Sequence, residues 1–199
     1  MVEIYKQAAE ELFRVKKQSS ILRFPQYFNK DTKPVRISEQ ESKIILTNLF
    51  FINKIPFAVE VPTVEKFNFS GSEGEGKSAH YDFAIYEVEQ YHTIKYAIEL
   101  KALTPEYKQI HKDIKKFARS NFDFIWFHTL VKADKNTYKS IFDNLNKAII
   151  SEQKDILGKH KWDFVILNLK NKELFYISKT ISKDAIFQFH NIEAFDKLL

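Results

Sequence analysis

The sequence predicts one α/β domain in which helices flank a mixed central β-sheet. Helical and strand periodicities follow one another in the order α-α-β-β-β-α-β-α-β-β-α, and no internal repeat divides the 199 residues. The interior is well supplied: 44% of residues are hydrophobic and 15% aromatic, with 19 phenylalanines against four glycines, so a core can form without staples. The chain has no cysteine, which excludes disulfides and thiolate metal sites and suits a reducing cytoplasm.

Residues 3–17 place Ile4, Ala8, Leu12 and Val15 at helical spacing. A connector punctuated by Pro25 and Pro34 follows. The next helix, SEQESKIILTNLFFIN, gathers Ile44, Ile45, Leu49 and Ile52 on one face. IPFAVEVPTVEKFNF reads as a short extended segment broken by Pro62, and SGSEGEGKSA holds every glycine except Gly158, the mark of a loop. HYDFAIYEV then alternates, with Tyr81, Phe83 and Ile85 on one side and His80, Asp82 and Ala84 on the other. In HTIKYAIELKAL, Ile94, Tyr96, Ile98 and Leu100 face one way; Ala97, Glu99 and Lys101 face the other. The short EVEQYH between them predicts an antiparallel hairpin.

TPEYKQIHKDIKKFARS reads as a helix with Thr104 as N-cap, Pro105 in the first turn and Ile110, Ile114 and Phe117 inward. FDFIWFHTLV is the next strand, and residues 136–152 form a helix through Tyr138, Ile141, Leu145 and Ile149. A hairpin turning at Lys170–Lys172 and a helical tail complete the domain, 1–199.

Composition narrows the partners only slightly. A net charge of +5, from 31 Lys+Arg against 26 Asp+Glu, permits a polyanion such as DNA or RNA without demanding one. No apolar run approaches the roughly 18 residues that cross a bilayer. The charged opening also lacks the apolar centre of a signal peptide. The expectation is a cytoplasmic protein with no membrane partner.

Chemistry concentrates in YAIELKA. Residues i and i+2 of a strand share a face, so Glu99 and Lys101 project together from an otherwise apolar strand. Pairing of the hairpin strands would set Asp82 beside Glu99. Two carboxylates, with the Leu100 carbonyl between Glu99 and Lys101, make an oxygen-rich site suited to Mg²⁺. A lysine at its edge can orient or deprotonate a water, or offset charge growing on a phosphate.

Asp82, followed seventeen residues later by Glu99-Leu100-Lys101 on the next strand, resembles the signature of the PD-(D/E)XK nuclease superfamily. Tyr81 stands where that motif's name has proline. The resemblance covers about residues 38–131 and implies a restriction endonuclease-like core: a helix, a three-strand meander, a helix and a further strand. It implies that Asp82 and Glu99 bind Mg²⁺, with Mn²⁺ as a substitute, and that Lys101 serves the attacking water. It further implies an acid from the preceding helix. Glu41 lies at the centre of the expected inner face and Glu39 opposite it, so Glu41 is the candidate. Ser38 and Glu41 also have the spacing of a capping box, a purely structural alternative. From the helix after the motif, Gln109 is the expected auxiliary residue, and Lys112 and Lys116 the phosphate contacts, joined by Lys77 from the glycine loop.

The expected activity is Mg²⁺-dependent hydrolysis of DNA phosphodiesters. The resemblance admits a homodimer, since cutting both strands needs two sites. An inactive nuclease fold that only binds nucleic acid or another partner is the alternative. A third reading rests on Gly71 to Ser78, which satisfies the phosphate-loop spacing G-x-x-x-x-G-K-S, although the strand-like pattern after it does not suit the helix such a loop requires. His80 shares the face of Asp82, while His111 and His128 have no companion at zinc-ligand spacing.

Overall fold

The computed structural model describes residues 1–25, 37–67, 77–90 and 92–199. Helices α1 (Val2–Lys16) and α2 (Glu39–Ile52) precede a meander of β1 (Phe57–Phe67), β2 (Lys77–Tyr86) and β3 (Ile94–Ala102). Then come α3 (Tyr107–Ala118), β4 (Asp123–Leu130), α4 (Lys135–Glu152), β5 (Lys159–Asn168), β6 (Glu173–Ser182) and the short β7 (Asp196–Lys197). The strands form one sheet in the order β1 to β7. β3, β4 and β5 run parallel, and the remaining neighbours pair antiparallel.

This mixed sheet between helices is the architecture the periodicities predict. The parallel centre explains the continuous apolar run of FIWFHTL. With helices on both faces, β4 is buried from Phe124 to Leu130 and cannot alternate. One core lies under α1 and α2, where Leu12, Leu46 and Phe50 meet Phe83, Ile98, Leu100 and Phe127. The other lies under α3 and α4, where Ile114, Phe117, Ile141 and Leu145 meet Phe124, Trp126 and Phe164.

Four local expectations are corrected. Helix α2 packs beside α1 as well as on the sheet, which turns its buried stripe to Ser42, Ile45, Leu46 and Phe50 and leaves Ile44 and Ile52 exposed. Helix α3 begins at Tyr107 rather than beside Thr104; Glu106 is its N-cap and Gln109 closes a capping box by accepting the Glu106 N–H at 3.1 Å. The tail is not helical beyond one 3₁₀ turn, Ile192–Ala194. Phe189 and Phe195 instead anchor extended chain in the α3/α4 core, and Asn146 satisfies the Phe189 backbone by donating to its carbonyl and accepting from its N–H, both at 2.7 Å. Finally, Tyr81 and Phe83 do not share a face, as described with the site.

The phosphate-loop match at 71–78 lies for the most part outside the described residues, but a strand leaves it: β2 begins at Lys77. The helix N-terminus that such a loop needs is not there, so the nucleotide reading falls. Among the described residues no helix is long and apolar enough to cross a membrane.

His128 on β4 is fully buried, and its Nε2 bonds the Leu103 carbonyl at 2.5 Å. Burial lowers its pKa from 6.5 to about 4, reinforced by Lys101 and opposed by the bond to Leu103. Between those two values the unfolded chain binds a proton that the folded protein refuses, so stability should fall as pH drops through that window. The loss should approach about 3 kcal/mol. Urea unfolding at stepped pH should show this slope in the wild type and a shallower one in His128→Gln.

Candidate active site

The site originates in a fork between β2 and β3. Their ladder runs from Tyr86↔Ile94 to Phe83↔Ile98, and no pair follows at Asp82 and Glu99. Tyr81 packs on Phe117 and Phe122 on the α3 side of the sheet, both ring centroids at 5.4 Å. Phe83 packs on Phe50 at 5.4 Å on the α2 side. Side chains two apart should share a face, so β2 must twist over at Asp82. The twist turns Asp82 into the gap, where Oδ2 accepts the Leu100 N–H at 2.8 Å. A residue's N–H and C=O leave a strand on the same side, so the Leu100 carbonyl faces the gap as well.

Across the gap, Glu99 and Lys101 project toward α3, as their two-residue spacing predicts, and enter a closed ring of four charges. Lys116 pairs with Glu99 Oε1 and, at 3.0 Å, with Asp113 Oδ1. Lys101 lies 2.9 Å from Asp113 Oδ2 and 3.7 Å from Glu99 Oε2. Each carboxylate thus touches both lysines, and each lysine both carboxylates. All four side chains are at most 12% exposed. Ions so withdrawn from water persist only when their charges are matched nearby.

The electrostatics follow from that burial. Burial pushes the Glu99 carboxyl well above its ordinary range; Asp113 and Asp82 push the same way, while Lys116 and Lys101 oppose them. The two lysines beside Glu99 are what favours its ionised form. Burial also works against charge on Lys101, but Asp113, Glu99 and Glu39 outweigh it and raise its pKa. Lys101 stays an ammonium. It can hold a water or a phosphate oxygen, and it cannot take a proton from the water.

Helix α2 contributes differently from expectation. Glu41 is buried, but its Oε2 accepts from the Ser38 N–H at 3.1 Å and the Ser38 hydroxyl at 2.9 Å. It caps its own helix. The acid that reaches the site is Glu39, with Oε1 3.8 Å from Lys101. The helical wheel gave Glu41 an inward position, which it has, whereas the site lies at the N-terminal end of α2, within reach of its first residues. Partial burial raises the Glu39 pKa; Lys101 opposes the shift, and Asp82 and Asp113 add to it. One turn on, Lys43 lies 3.4 Å from Asp82 Oδ1 and also pairs with Glu60. Glu60 holds a left-handed backbone (φ 51°) between the pairs Val59↔Phe83 and Val61↔Tyr81, opposite the twist in β2.

On α3 the expected roles are exchanged. Gln109 is exposed and occupied with the cap of its helix. Lys116, expected on a phosphate backbone, is turned inward and 3% exposed. Asp113 was the residue to single out, since it falls on the inward stripe of Ile110, Ile114 and Phe117 by three- and four-residue spacing. Lys112 is on the exposed face. The Lys77 side chain lies outside the described residues. His80 enters through its backbone: its carbonyl accepts from Lys116 at 3.0 Å.

The donors suit a hard divalent cation. Mg²⁺ takes one or two carboxylates and fills its other positions with water and substrate oxygens. Asp82 and Glu99 could provide these, and the Asp82 charge lies near enough to act on Glu99. Among the described residues, no three acidic or histidine side chains are gathered into a ready cage.

No family model matches the chain, and no curated protein matches it. Among solved structures, SfsA from Pyrococcus furiosus in complex with Ca²⁺ is similar at 9% identity and a TM-score of 0.35, covering 72% of this chain and 63% of that one. The chain thus spans less than two thirds of that protein. What the site can do follows from its own geometry.

Breaking the ring on one side should be costly. Lys116→Met leaves Glu99 and Asp113 with too little positive charge and should destabilise the fold by about 3 kcal/mol. Adding Glu99→Gln should recover most of that loss, a non-additivity that urea unfolding of the two variants would show.

Proposed function

We propose that the protein is a Mg²⁺-dependent nuclease that hydrolyses DNA phosphodiesters at the fork between β2 and β3. The observation that carries this reading is the twist at Asp82, which breaks the ladder and aims a carboxylate at the strand bearing Glu99 and Lys101. A strand pair built only for stability would continue its ladder there. It would not bury a glutamate against a lysine. The order α2, β1, β2, β3, α3, β4, with β3 parallel to β4, is also the order that the PD-(D/E)XK resemblance implies.

In this reading Asp82 and Glu99 would hold the ion, with the Leu100 carbonyl beside them. When bound, Mg²⁺ (or Mn²⁺ in its place) supplies positive charge to the phosphate oxygens. The remaining work falls to the chain. Lys101, permanently charged, orients the attacking water and stabilises charge at phosphorus. Glu39, the most exposed carboxylate of the cluster, accepts the water's proton as the new P–O bond forms, and the leaving oxygen takes a proton from solvent as its bond to phosphorus breaks. Lys112 lies on the exposed face of α3, where it can contact the phosphate backbone and add salt-dependent affinity.

A second reading has its own support. Lys116 and Lys101 already neutralise Glu99 and Asp113, as in a fold kept for binding without cleavage. Cleavage of supercoiled plasmid and single-stranded oligonucleotides with Mg²⁺ or Mn²⁺ separates the two. The nuclease reading expects cleavage that falls about a hundredfold or more in Glu99→Ala and in Lys101→Met. Unchanged cutting by both variants would remove the site from consideration. Binding of DNA without cutting by the wild type would establish the second reading.

A further inference from the structure

The Lys116 ammonium sits where a cation would be expected. Around Nζ are Glu99 Oε1, Asp113 Oδ1 at 3.0 Å and the His80 carbonyl at 3.0 Å: two carboxylate oxygens and one backbone oxygen, with solvent almost excluded. Glu99, the deepest expected ligand, has one oxygen against each lysine and none turned to an open position.

Charge counting sharpens the conflict. In the buried ring itself, Glu99 and Asp113 bring two negative charges and Lys101 and Lys116 two positive ones. A divalent ion added to this set would leave a net positive charge in a poorly solvated place. If Lys116 withdrew as the ion entered, part of that excess would leave with it. The structure offers a place to withdraw to. A cavity of about 480 Å³ beside α3 is lined by Lys116, Tyr81, Ser120, Thr63 and Glu65. The Glu65 carboxylate there lies 3.8 Å from Arg119 and can take a displaced ammonium as a second cation.

We propose that Lys116 is a built-in competitor of the divalent cation. It seals Glu99 and Asp113 while the ion is absent, and swings into the cavity beside Glu65 when the ion binds. The proposal rests on the reading of Asp82 and Glu99 as ion ligands. It adds that ion binding and the position of Lys116 are mutually exclusive.

Mn²⁺ is the probe, and wild-type protein suffices for the first measurement. Acetylation by an amine-reactive ester, read lysine by lysine by mass spectrometry, should find Lys116 strongly protected without Mn²⁺. With saturating Mn²⁺ its labelling should rise severalfold, while exposed Lys139 stays constant. The second measurement is Mn²⁺ affinity, by electron paramagnetic resonance, in wild type, Lys116→Gln and Glu99→Gln. Lys116→Gln should bind about tenfold tighter or better, since a competing charge is gone, and Glu99→Gln should lose binding. Glu99-dependent Mn²⁺ binding with Lys116 still protected would overturn the competitor and leave the nuclease reading standing. Failure of both wild type and Lys116→Gln to bind Mn²⁺ would overturn the two together.

Discussion

Burying charge is the constraint around which this molecule is arranged. Glu99 and Lys101 stand on a strand whose neighbours are apolar, beneath a helix that excludes water. Such groups persist only if their partners arrive from elsewhere in the chain, and Asp113 and Lys116 arrive from α3. That requirement fixes how α3 lies on the sheet: its rotation must bring residues 113 and 116 over β3 while Ile110, Ile114 and Phe117 stay in the core. Hydrophobic packing alone would tolerate small slides of the helix. A closed ring of two carboxylates and two ammonium groups does not.

The twist in β2 supplies the other half of the arrangement. By turning over between Tyr81 and Phe83, the strand feeds both cores of the protein from consecutive odd positions and releases Asp82 to the gap between strands. The neighbouring β1 follows with a left-handed residue at Glu60, whose side chain reaches Lys43 on α2. The two faces of the sheet, otherwise separate hydrophobic compartments, are linked by polar contacts there, at the place where chemistry is proposed.

Much of this was legible in the sequence. The order of elements, the shared face of Glu99 and Lys101, and the hairpin that carries Asp82 follow from periods of two and 3.6, which depend only on backbone geometry. The misses have a common physical origin. Tyr81, Phe83 and Ile85 look like one face because alternation assumes an untwisted strand, and nothing local announces where a strand turns over. Glu41 was preferred to Glu39 because a helical wheel has no ends, whereas the site lies at one. Gln109 and Lys116 were assigned as if α3 met solvent or substrate along its length; the first closes a cap and the second completes a ring that depends on Glu99, seventeen positions away. The tail resisted for a similar reason: Phe189 and Phe195 are held by contacts with α4, not by a local repeat.

The bond between His128 and the Leu103 carbonyl has a mechanical consequence. Leu103 begins the short connector from β3 to α3 and holds a left-handed backbone, with φ 62°. Its N–H donates to the Thr129 carbonyl at 3.1 Å, while its own carbonyl receives the imidazole. The connector is thereby riveted to β4 at both of its polar atoms. Lys101 stands two residues before this rivet and Asp113 ten residues after it, so the arm from strand lysine to helix aspartate has a fixed pivot. The helix that brings Asp113 and Lys116 to the site therefore starts from a backbone position set by β4.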